Sequence, residues 1–196
     1  MVRSAASSAL PEQYNAGRVS ATPHDIKVTS MALSETLLAE DLHPIDIVEN
    51  IAEHYEWDFD RIADDQIAMA VEGQWRTYSI TLAWSGYDET LRLICTFEMT
   101  PDIERLPKIY ELLNEINDKC WCGNFTYWQD QGLMVHRYGL VLTGGQTAGT
   151  DQVNTLISSA VEAAERFYPA LQLVAYGEDE PKAALKVAIA GAYGRA

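Results

Sequence analysis

Cysteine is scarce, basic charge is scarce and long apolar runs are missing, and each shortage excludes a class of protein. Three cysteines in 196 residues, Cys95, Cys120 and Cys122, are too few and odd in number for a disulfide scaffold. The opening residues MVRSAASSAL hold no apolar segment of the secretory kind, so a reducing compartment, the cytoplasm, is expected. No apolar run reaches the length of about 18 residues that a membrane-spanning helix needs. Lysine and arginine number 14 against 29 aspartates and glutamates, a formal net charge of −15. A field of that sign repels phosphate backbones and anionic lipid. Nucleic acid and membrane surfaces are therefore poor partners, and a basic peptide or protein is a better one.

Site chemistry is also missing. Cys120-Trp121-Cys122 is a C-x-C pair with no second ligand cluster, so it reads as small half-buried hydrophobes and not as a metal or redox centre. His24, His43, His54 and His136 are scattered without the i,i+4 spacing of helix-borne metal ligands. A spatial dyad of His136 with Cys95 or Cys120 is open to the fold, but nothing in the sequence selects it. The segment Gly144-Gly145-Gln146-Thr147-Ala148-Gly149-Thr150-Asp151 follows a strand and opens a helix, where anions can bind. It lacks a phosphate-loop lysine, and Asp151 repels phosphate, so it reads as a turn with Thr150 or Asp151 as the helix cap. The acidic groups Asp64-Asp65 and Glu178-Asp179-Glu180 lack the alternating oxygen ligands of a calcium loop. No catalytic, cofactor-binding or metal-ligating residue is expected, and an enzyme is not. A small-ligand or anion sensor using the loop from Gly144 to Gly149, or an enzyme with an unrecognised site, is the alternative.

What is present is a regular alternation of elements. Residues 1–30 are rich in Ser, Ala, Thr and Pro and show no periodicity, so they read as a disordered tail or a mis-assigned start, with Met31 a suitable first residue. They carry three basic and two acidic residues, so without them the charge is −16. Ile45, Val48, Ala52 and Tyr55 set a helix over residues 44–56. Strands follow over 59–62, 66–72, 75–84 and 90–99, and the last two alternate apolar with polar. Leu106, Ile109, Leu113, Ile116 and Cys120 mark a second helix running to Cys122-Gly123. A hairpin of strands 124–129 and 133–142 comes next, then a long helix over 151–167 that Pro169 bends or ends. Residues 177–180 read as a linker and 181–196 as a loose final segment. The order α-β-β-β-β-α-β-β-α, with strands greasy on one face, is that of an α+β protein with an antiparallel sheet flanked by helices.

The strand over 133–142 departs from this alternation. Met134, Tyr138, Leu140 and Leu142 on one face oppose Leu133, Val135 and Val141 on the other. Such a strand is either central in the sheet or part of a subunit contact. Val135, Arg137 and Val141 share one face, and Trp128 lies nearby as an aromatic anchor. Aromatics and arginine are enriched at interface hot spots, so these four residues are the candidates for a partner or dimer contact.

The motifs Leu112-Leu113-Asn114-Glu115-Ile116-Asn117, Gly123-Asn124-Phe125, Gly132-Leu133, Arg137-Tyr138 and Phe167-Tyr168-Pro169-Ala170-Leu171 resemble those of the YbjN-domain family. The resemblance spans about residues 40–173, within a domain placed at 31–176. It implies a curved antiparallel sheet flanked by helices, similar to the chaperones of type III secretion, commonly as a homodimer. It also implies a role in bacterial sensory transduction, and it carries over no catalytic residue. The expected function is a non-enzymatic protein-binding module, chaperone-like or regulatory.

Overall fold

A computed structural model describes residues 42–193. His24, the reading of residues 1–30 as a tail and the choice of Met31 as a start lie outside them. The described chain runs α1 (Pro44–His54), β1 (Asp58–Ala63), β2 (Gln66–Glu72), β3 (Thr77–Ser85), β4 (Thr90–Glu98), a 3-10 turn (Ile103–Arg105), α2 (Leu106–Asn117), β5 (Asn124–Trp128), β6 (Leu133–Val141), α3 (Thr150–Tyr176) and α4 (Pro181–Tyr193). The protein is thus α+β. Its six strands form one antiparallel sheet in the order β1-β2-β3-β4-β6-β5.

Alternation along each strand sorts the sheet into two faces. Across β2, β3, β4 and β6 the register places Ile67 beside Leu82, Leu82 beside Leu93, and Leu93 beside Tyr138. Met69, Ile80, Cys95 and His136 form a second such row. The helices pack on this inner face. Ile45 and Val48 of α1, Ile109 and Leu112 of α2, and Leu156, Ile157 and Phe167 of α3 join these strands in one buried core. Arg61 of β1 ties the sheet to α1 by ion pairs with Asp46 at 2.6 Å and Glu49 at 2.5 Å. Those two partners hold the guanidinium pKa above its ordinary value.

Four details differ from the sequence reading. The long helix α3 continues through Pro169 to Tyr176. An interior proline costs about 3 kcal/mol, but each fully buried Leu or Val side chain contributes about 1.5–3 kcal/mol. Leu171 and Val174 are both fully buried beyond Pro169, so the helix gains by continuing. Gly149 is the cap of α3, in place of Thr150 or Asp151; the Gln152 side chain accepts its N–H at 2.9 Å. Helix α2 stops at Asn117 instead of running on to Cys122-Gly123. The end expected to be loose is helix α4, which packs on α2 and α3 with Ala184, Leu185 and Ala188 buried. No helix of the described residues is long and apolar enough to cross a membrane.

Candidate interaction face

The outer face of the sheet carries the other half of each strand, and no described helix is packed on it. The register fixes its rows. Trp128 pairs with Leu133, Thr126 with Val135 and Asn124 with Arg137 across β5 and β6. Thr96 pairs with Val135, Ile94 with Arg137 and Thr90 with Val141 across β4 and β6. Trp128, Val135, Arg137 and Val141 therefore all lie on this face. Their exposure differs. Val141 is 61% exposed and Arg137 is exposed, Trp128 is half-buried, and Val135 is 0% exposed. The middle of the face is small and β-branched, with Ala68, Ala70, Thr81, Ala83, Ile94 and Thr96 half-buried. Its margin carries the exposed charges Asp58, Asp60, Glu72, Glu98, Arg92 and Arg137. Arg92 pairs with Asp88 at 2.6 Å. The face thus has a low-charge middle and a charged margin.

The two-sided character of β6 has a direct cause. The strand is central, hydrogen-bonded to β4 and β5, and its inner residues Met134 and His136 lie under the helix layer. Its outer residues grade from buried Val135 to exposed Val141.

Of the two histidine–cysteine pairs left open by the sequence, the fold brings His136 beside Cys95. His136 stands opposite Cys95 across β4 and β6, and both are fully buried. Burial pushes the Cys95 thiol up to about 12. Burial likewise pushes the His136 imidazole below its ordinary value, against the opposing effect of its bond to the Cys122 backbone. An activated thiolate needs the reverse on both counts. Cys120 is half-buried and raised by desolvation, and Cys122 is exposed. The hydrogen bond to the Cys122 side chain pushes the Tyr138 hydroxyl up. Among the described residues no three His, Cys, Asp or Glu side chains gather as metal ligands.

The loop from Gly144 to Gly149 is also placed. The Gly144 N–H donates to a Glu89 carboxylate oxygen at 2.9 Å, and Asp151 sits in the first turn of α3. Both groups are negative, which opposes an anion there. An open depression of about 290 Å³ beside the loop is lined by Tyr138, Leu140, Asp151, Gln152, Thr155 and Leu156. His136 is not in that lining.

The YbjN family model, described as "Putative bacterial sensory transduction regulator", matches residues 44–173. The chain belongs to the YbjN family. No curated protein matches. Among solved structures, one titled "Crystal structure of YbjN, a putative transcription regulator from E. coli" is similar at 14% identity and a TM-score of 0.46, over 78% of this chain and 94% of that one. Another, titled "Structure of the HopA1-SchA Chaperone-Effector Complex", is similar at 14% identity and a TM-score of 0.42, over 60% of this chain and 87% of that one.

The residues that mark the chain as a YbjN protein serve the fold. The Asn117 side chain accepts the Phe125 N–H at 2.8 Å and donates to the Phe125 carbonyl at 3.0 Å. This double bond fixes the start of β5 against the end of α2 and accounts for the helix stopping there. Gly123 turns between them at φ +77°, and a side-chain carbon at that point would fall 2.6 Å from the Arg137 carbonyl. Beside Phe167-Tyr168-Pro169, Glu165 accepts from Tyr78 Oη at 2.7 Å and from the N–H groups of Gln74 at 3.0 Å and Trp75 at 3.3 Å. Desolvation and that carboxylate together raise the Tyr78 pKa far above its ordinary value. Arg76 lies over the rings of Phe97 and Tyr168, and Trp75 stacks on Tyr168. The sequence reading placed Trp75 and Arg76 in strand β3; they belong instead to a loop clamped on α3. The carboxylate that clamps it lies about ninety residues away in sequence, so no local pattern announces it.

Proposed function

We propose that this YbjN protein is a non-enzymatic polypeptide-binding module, chaperone-like or regulatory, acting in the cytoplasm as a homodimer through the outer sheet face. The observation that carries the reading is the placement of Trp128, Arg137 and Val141 on one sheet face that no described helix covers. Size supports it. Six strands about 4.8 Å apart, the longer ones about 30 Å in length, offer on the order of 700 Å². A stable interface takes about 800 Å² from each partner. Charge supports a basic polypeptide partner and opposes nucleic acid and anionic membrane, because the net charge is −15.

Light scattering of the full chain at micromolar concentration tests the dimer. The expected mass is twice that of the chain, and Val141→Asp lowers it toward that of one chain. A wild-type protein that runs as a monomer refutes the dimer. Val141 suits the test because it is exposed, whereas a charge at buried Val135 disturbs the protomer as well.

A further inference from the structure

A second surface lies where β4 leaves the sheet, next to Trp128 in sequence but reached through Tyr127, which has inner-face parity on β5. A groove of about 390 Å³ has the apolar residues Pro101, Ile103, Leu106 and Tyr127 on one side and the polar Gln129, Asp130 and Gln131, with Thr100 and Gly132, on the other. Its walls are pinned. The Tyr127 hydroxyl donates to the Met99 carbonyl at 3.0 Å, and the Thr100 N–H donates to the Tyr176 hydroxyl at 2.9 Å. The Met99 N–H donates to the Gly132 carbonyl at 2.8 Å. Gly132 holds φ +64°, and a side-chain carbon there would meet Thr100 Cγ2 at 3.1 Å, so glycine favours the close approach of the turn to the wall. A preformed groove loses little entropy on binding.

Two features define an occupant. Ile103 is 74% exposed, a large apolar side chain presented on a 3-10 turn that buries none of its own residues. Beside it in sequence stand the exposed carboxylates Asp102 and Glu104 and the half-buried Arg105, and the exposed Asp130 stands across the groove. The adjacent Lys108 is already paired with Glu180 at 2.7 Å. An apolar floor with an acidic rim is complementary to an extended peptide that inserts an apolar side chain and carries arginine or lysine beside it. We infer that this groove docks a short basic segment of the partner polypeptide, with Ile103 and Tyr127 as the apolar floor and Asp102 and Asp130 as the charge-reading rim. The inference rests on the polypeptide-binding reading but uses a different surface.

Fluorescence anisotropy with the intact protein tests it. The probe is a labelled short peptide of alternating arginine and leucine, against a counterpart with glutamate for every arginine. The arginine peptide binds and the glutamate peptide does not. Ile103→Asp weakens binding about tenfold or more, as loss of a central anchor does, even though it adds negative charge. Ile103 is exposed, so that variant stays folded. Asp102→Asn with Asp130→Asn weakens binding and flattens its salt dependence, while Asp64→Asn with Asp65→Asn at the β1–β2 turn changes neither. An Ile103→Asp protein that binds as well as wild type reduces the effect to diffuse charge and overturns the groove, as does failure of the arginine peptide to bind at all. NMR shifts that map to Arg137 and Val141 and spare Ile103 and Tyr127 overturn the groove and leave the polypeptide-binding reading standing. A monomer in light scattering with peptide bound at Ile103 refutes the dimer and leaves the groove.

Discussion

The two faces of the sheet are made of the same strands and obey opposite rules. On the inner face Ile67, Leu82 and Leu93 run side by side, all at most 1% exposed. On the outer face the intervening residues are Ala, Thr and Ser in the middle and charges at the margin. One face is fitted to helices of the same chain, so its residues are chosen for volume. The other is flat, and its residues are chosen to stay in water or meet something else. Substitutions on the inner face should therefore cost stability, and those on the outer face should cost association.

Leu93→Ala should cost about 2–5 kcal/mol, because it opens a cavity among packed strands and helices; chemical denaturation measures it. Val135→Asp is the sharpest challenge to the comparison. Val135 belongs to the outer face by register yet is fully buried. A charge there should cost several kcal/mol in the protomer itself, and a stable, merely monomeric Val135→Asp protein would restore the simple division. Glu165→Ala should cost about 1–3 kcal/mol, since it leaves the buried Tyr78 hydroxyl without its carboxylate acceptor; Glu165→Gln should recover part of it.

His136 gives a pH signature confined to the inner face. Its Nε2 lies 3.2 Å from the Cys122 carbonyl, and its Nδ1 has no hydrogen-bond partner among the described residues. Burial lowers its pKa below the ordinary 6.5. The unfolded chain therefore takes up the proton first, so stability held above about pH 6.5 falls as the pH drops toward the lower folded value. Denaturation series from pH 7.5 to 5 should show that slope, and His136→Asn should flatten it. The smallest effect is at Val141→Asp, where the midpoint should move within about 0.5 kcal/mol while the mass in light scattering falls.

Much of this division could be read from the sequence, because a period of two is visible wherever one face is buried. Tyr78, Ile80, Leu82 and Trp84 were separable from Thr77, Ser79 and Thr81 on that ground alone. The four contact candidates fell on one face for the same reason. What could not be read depends on distant partners. The continuation of α3 past Pro169 is set by what covers Leu171 and Val174. The docking of α4 is set by apolar surface on α2 and α3. The full burial of Val135 on the outer face is not reported by parity. The groove at Ile103 joins the exit of β4 to the β5–β6 turn, two segments that only the folded chain brings together.

The double bond from Asn117 to Phe125 also bears on how copies of this protein can stack. Strand β5 is at one edge of the sheet, with only five residues, and Asn117 occupies the backbone donor and acceptor of Phe125 as a further strand would. A sheet open at both edges can add copies without end and grow into a filament. With Phe125 already bonded, the start of β5 offers no free backbone pair to an incoming strand. One amide side chain thus blunts the start of that edge.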